Sequence, residues 1–161
     1  MGILTLRQTV IVQKWLNEQV TQLKANVDKN FKATGKTRDS IRGFIEGDSA
    51  IIEGSSILQF GEYGRGPTRN GTKPGVLRDL IRQWIDVKGI QPKGGIYKDT
   101  LDFLITRKIN RDGIKVPNRY NAGDIISSVI NETSIQDLIE EFGETLIGEF
   151  ESEILPVLNL D

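Results

Sequence analysis

Phe60-Gly61-Glu62-Tyr63-Gly64-Arg65-Gly66-Pro67-Thr68-Arg69 separates a β-like region from a strongly periodic helix. Its glycines permit positive φ and close backbone approach. It is read in two ways. One is a sheet-to-helix connection punctuated by Gly and Pro. The other is a docking loop that offers Tyr63, Arg65 and Arg69 to a partner, because aromatics and Arg are favoured interface anchors.

Upstream, residues 5–31 read as one amphipathic helix. Val12, Leu16, Val20, Leu23 and Val27 recur every three or four positions, with Trp15 beside them. Gly35 is a stop signal after Phe31. Residues 40–54 read as a β-hairpin, with Ile41, Phe44, Ile45, Ile51 and Ile52 around the turn pair Gly47-Asp48. Residues 56–60 fit a short strand or a helical turn.

Downstream, Pro74 marks a helix start. Val76, Leu77, Leu80, Ile81, Trp84 and Ile85 form its apolar face, and Lys88-Gly89 ends it. A third helix starts near Asp99 or Thr100, is expected to bury Leu101, Leu104, Ile105 and Ile109, and stops at Asp112-Gly113. Residues 114–117 read as extended and 118–123 as loop. Residues 124–130, rich in β-branched side chains, read as a further strand pairing with the hairpin. Ser134 then caps a C-terminal helix over about 134–155, with Ile135, Leu138, Ile139, Phe142, Leu146 and Phe150 as its stripe and Pro156 as its end. The expectation is one α+β domain over 1–161, with a small antiparallel sheet, two central helices and an acidic C-terminal helix.

The chain has 161 residues with no cysteine and no histidine. Disulfides, thiolate metal sites, His-based triads and His-liganded metals are therefore excluded. No apolar run approaches a membrane span. Arg7 and Gln8 interrupt any signal-peptide core, and Leu6 stands where a myristoylation signal wants Ser or Thr. Gly35-Lys36-Thr37 lacks the phosphate-loop glycine, since position 30 is Asn30. Glu140/Glu141 and Glu149/Glu151/Glu153 lie along one helix, whereas hard cations take ligands converging from several segments. No catalytic, metal or cofactor residue is assigned.

Charge is divided unevenly. All 21 basic residues lie within 1–131 with 13 of the 22 acids, which leaves that part at +8 and residues 132–161 at −9. Internal pairing of tail against body fits this, as does a polar subunit that stacks head to tail. Two basic runs stand out: Arg65, Arg69, Lys73, Arg78 and Arg82, then Arg107, Lys108, Arg111, Lys115 and Arg119. They suit a phosphate backbone or an acidic protein partner. The near-neutral total favours a protein. Glu140 and Glu144 with Phe142, Leu146 and Phe150 are the matching contact candidates on the acidic helix, which packs in its own subunit or reaches a neighbour.

Four segments in order carry a resemblance: ATGKTRDSIR (33–42), LQFGEYGRGP (58–67), LRDLIRQWIDVKGI (77–90) and TLDFLITRKINRDGIKV (100–116). Together they resemble the neck and tail-completion proteins of tailed phages over roughly residues 31–131. Asp102 departs from that pattern, which has a small apolar residue before Phe103, and the acidic C-terminal segment has no counterpart in it. The resemblance implies a non-enzymatic virion protein, assembled in the host cytoplasm and placed at the head–tail junction. It implies a cyclic homo-oligomer that contacts neighbouring neck, connector or tail-tube proteins. Double-stranded DNA would pass its channel without sequence-specific binding. The rival class is a nucleic-acid-binding assembly factor using basic runs 65–82 and 107–119.

Overall fold

A computed structural model describes residues 4–30, 34–68, 74–119 and 121–158. The fold is α+β. The N-terminal helix α1 (Leu6–Asn30) buries Val12, Leu16, Leu23 and Val27, four members of the expected stripe, with Val20 half-buried. After it come one turn of helix, α2 (Lys36–Asp39), and an antiparallel hairpin of β1 (Arg42–Glu46) and β2 (Ser49–Glu53). Gly47 supplies the positive φ at the first position of the two-residue turn. Gly43 lets β1 lie directly on α1, since a Cβ there would meet Val20 Cγ2 at 3.0 Å and Leu16 Cβ at 3.4 Å.

Residues 57–60 resolve as helix, in α3 (Ile57–Tyr63), with Ser56 at its N-cap. The two central helices are α4 (Pro74–Val87) and α5 (Lys98–Asp112), and the last is α6 (Glu132–Leu158). Asn131, not Ser134, caps α6. Its Oδ1 accepts the Ser134 N–H at 3.0 Å, and Ser134 Oγ accepts the Asn131 N–H at 3.1 Å, a reciprocal capping box. The helix runs through Pro156 to Leu158, because a proline in the final turn forfeits a single backbone bond.

Residues 124–130 are not a strand, and the described sheet has two strands. The segment is a compact helical turn in which Ile130 N–H donates to the Ile126 carbonyl at 2.8 Å. Ile125 and Val129, one helical turn apart, enter the same core as Leu23, Val27, Ile41 and Leu58. Asn26 Nδ2 donates to the Ile125 carbonyl at 3.1 Å and ties the turn to α1. The core thus sits between the C-terminal half of α1, the base of the hairpin, α3 and this turn.

Candidate interaction surfaces

The expected 60–69 loop begins only at Gly64, because residues 60–63 form the last turn of α3, and that turn is pinned from inside. Glu62, at the end of α3, is buried. Its carboxylate accepts the N–H of Ile126 at 2.8 Å and of Ser127 at 3.3 Å. Burial works to raise its pKa, but the Ser127 side chain and the backbone N–H groups of this turn outweigh it and hold the pKa below the ordinary value. A carboxylate borrowed from α3 therefore caps the 125–129 turn, which explains why β-branched residues form a helical turn there. Glu62→Gln keeps the shape but turns one acceptor into a donor facing an N–H. It should cost about 1–3 kcal/mol, read as a lower urea midpoint with unchanged slope; an unchanged midpoint would remove this capping role.

Tyr63, the next residue, points outward and is 78% exposed. Arg65 is half-buried and lies along the surface. Its Nη2 donates to Thr68 Oγ1 at 2.8 Å, and that hydroxyl donates to Asn110 Oδ1 of α5 at 3.1 Å. Its backbone exchanges two hydrogen bonds with Ile114, at 2.8 and 2.7 Å. The loop glycines serve this crossing: a Cβ on Gly64 would overlap the Ile114 carbonyl oxygen, and one on Gly113 the Arg65 carbonyl oxygen. Tyr63 thus stays available as an anchor, while Arg65 fastens the loop to α5. Arg69 and Lys73 lie outside the described residues.

Arg78 and Arg82, one turn apart on α4, both turn toward α5. Arg78 Nε reaches Asp102 Oδ1 at 2.8 Å, and Arg82 reaches Asp102 Oδ2 at 2.9 Å and Asp99 Oδ1 at 3.0 Å. Asp102 is wholly buried. Desolvation pushes its pKa up, yet hydrogen bonds from both guanidinium groups win and keep it below the usual carboxylate value. The Asp102 bond in turn raises the pKa of Arg82. In the second basic run, Lys108 and Arg111 both bind Asp112. Much of the positive charge legible in the sequence is thus engaged by acids of the same chain. The expected buried face of α5 is also displaced: Asp102 and Thr106 are the buried positions, and Leu104 is exposed.

α6 lies antiparallel along the N-terminal half of α1. Trp15 Nε1 donates to the Ser134 carbonyl at 2.7 Å, Lys14 pairs with Glu141 at 2.9 Å, and Thr5 Oγ1 donates to Glu149 at 3.3 Å. The helix therefore packs on its own subunit, with Phe142 half-buried. Its outer side is bare. Ile135, Ile139, Leu146, Phe150 and Val157 are all exposed and recur at spacings of four or seven, which places them in one row. Asp137, Glu140, Glu144 and Glu151 recur at three, four and seven and make a second, acidic row. Among the described residues Glu141 is the one acid of α6 in an ion pair.

A surface not foreseen from sequence lies on α4. Ile85 is buried, but Val76, Leu80, Trp84 and Val87 form an exposed row. Leu80 and Trp84 line a groove of about 300 Å³ with Val27, Ile57, Lys36 and Lys88. The signal was the width of the apolar face. Val76 through Ile85 covers more than one helix stripe, and a helix packed on one neighbour buries only one.

Among the described residues no three His, Cys, Asp or Glu side chains group as a metal site, and no helix is long and apolar enough to cross a membrane. Gly35-Lys36-Thr37 forms the start of the single turn α2, whose Ser40 hydroxyl donates to the Thr37 carbonyl at 2.7 Å and accepts the Ser55 N–H at 2.9 Å. No family model, curated protein or solved structure matches the chain.

Proposed function

We propose that this chain is a structural, non-enzymatic protein of a tailed-phage particle that assembles as a ring in the neck or tail-completion region. The order of the four motif segments between 33 and 116 supports the family reading. The observation that carries the assembly reading is the outer side of α6, an exposed apolar row beside acids that have no ion pair among the described residues. Monomers seldom leave such a surface open. The pairing of Arg78, Arg82, Lys108 and Arg111 with acids of the same chain favours protein contacts over a phosphate-binding role. Apolar anchors would supply affinity and the charge asymmetry would set orientation.

Cryo-electron microscopy of purified particles at the head–tail junction tests this. The expected result is a ring of copies around the DNA channel. Absence of the polypeptide from the particle would remove the structural role, and steeply salt-dependent DNA binding by the purified protein would then favour the assembly-factor reading.

A further inference from the structure

We infer that the groove beside α4 receives the outer side of α6 from a second copy of this chain, an inference that builds on the ring reading above. The two surfaces complement each other in kind. Ile57, Leu80, Trp84 and Val27 give the groove apolar walls, and Lys36 and Lys88 stand exposed on its rim without an ion pair among the described residues. Arg38, also on the rim, is engaged by Asp28 and Asp39. α6 offers the converse: Leu146 and Phe150 one turn apart, with Glu140 and Glu144 alongside. The groove has room for two large apolar side chains of that kind, and the acids would then meet the rim lysines.

The geometry excludes the chain's own α6 as occupant. That helix starts beside Trp15, where the indole holds the Ser134 carbonyl, and runs away from the groove toward Thr5. The groove lies at the other end of α1, by Val27 and Asn30. Twelve residues of helix separate Trp15 from Val27, about 18 Å at 1.5 Å per residue. Because the groove and α6 are different patches, their pairing is head-to-tail. Such a contact closes into a ring when the rotation per copy permits it.

The absence of cysteine makes a direct test possible. Gln83→Cys places a thiol on the groove wall, and Gly143→Cys places one on α6, where an added Cβ meets nothing within 4 Å. The double variant, treated with a short bis-maleimide, should give a ladder of covalent oligomers. A mixture of the two single variants should give a dimer and stop there. Lys36→Glu with Lys88→Glu should reduce the product at least about tenfold through like-charge contacts. Glu140→Lys with Glu144→Lys in the partner should restore it.

Self-linking of Gly143→Cys in place of the mixed product would show α6 pairing with α6 and overturn the inference. So would the lack of any Gln83–Gly143 product up to the solubility limit and in assembled particles. A ring in the particle without that product would sink this pairing alone. The ladder from a protein absent from particles would leave the pairing standing and remove the virion role.

Discussion

Gly113→Ala is expected to lower stability by about 3–5 kcal/mol, the sum of backbone strain and forced overlap. Gly113 caps α5 at φ 73 and ψ −165, a conformation essentially confined to glycine. A Cβ there would also strike the Arg65 carbonyl oxygen and stand 3.0 Å from the Gly66 carbonyl carbon. Retreat is not free, because that Arg65 oxygen accepts the Ile114 N–H at 2.7 Å, and the Arg65 N–H donates to Ile114 at 2.8 Å. Gly64, at φ 81 and ψ −171, makes the reciprocal approach to Ile114. Two glycines thus let two loops cross backbone to backbone. Gly66→Ala is the control: a Cβ there meets nothing within 4 Å, its φ is not positive, and its effect should stay within about 0.5 kcal/mol. Urea titration of the three proteins decides the matter. If Gly113→Ala matched Gly66→Ala, the crossing would not be the tight contact described.

The sequence was most legible where one rule governed each residue. The stripe of α1 has a single apolar row and faces a single core, so spacing alone located it. Gly47-Asp48 located the hairpin because a two-residue turn sets its own backbone requirement. Residues 124–130 failed on propensity. Their β-branched content argued for a strand, but Ile125 and Val129 stand four apart, and a carboxylate more than sixty positions upstream supplies the cap. No local rule contains Glu62. α4 and α6 failed differently. The apolar positions of α4 read as one face, and Phe142, Leu146 and Phe150 of α6 as either core or contact residues, whereas α4 buries Ile85 and exposes Val76, Leu80, Trp84 and Val87, and α6 keeps Leu138 and Phe142 half-buried and exposes Leu146 and Phe150. An apolar face too wide for one neighbour is itself a sign of a second. The basic runs were overread because charge was counted along the chain, while Arg78 and Arg82 meet Asp102 across 24 and 20 residues.

Asp102→Ala is expected to cost about 3 kcal/mol, the low end of what removing one partner from a buried ion pair does. The low end applies because the side chains of Arg78 and Arg82 are 37% and 46% exposed, and water can take up part of what Asp102 gave them. Asp102 itself has no such recourse, with a side chain 1% exposed. Arg78→Ala should therefore also destabilise, since it leaves a buried carboxylate with a single cation. The pair Asp102→Leu with Arg78→Met should recover part of the loss, because the buried acid and one of its two cations leave together, while Arg82 keeps Asp99 and its access to water. Acid unfolding supplies an independent check. The folded-state pKa of Asp102 lies below the ordinary 3.8 and that of Glu62 below 4.5. Their stabilisation is thus complete above the unfolded values and drains as pH falls through the depressed folded ones. In Asp102→Ala the urea midpoint should start lower at neutral pH and fall less steeply below about pH 4. Parallel pH profiles for the variant and the parent would mean that Asp102 is not held as an anion between the two arginines. Asp102 would then have no electrostatic role in joining α4 to α5.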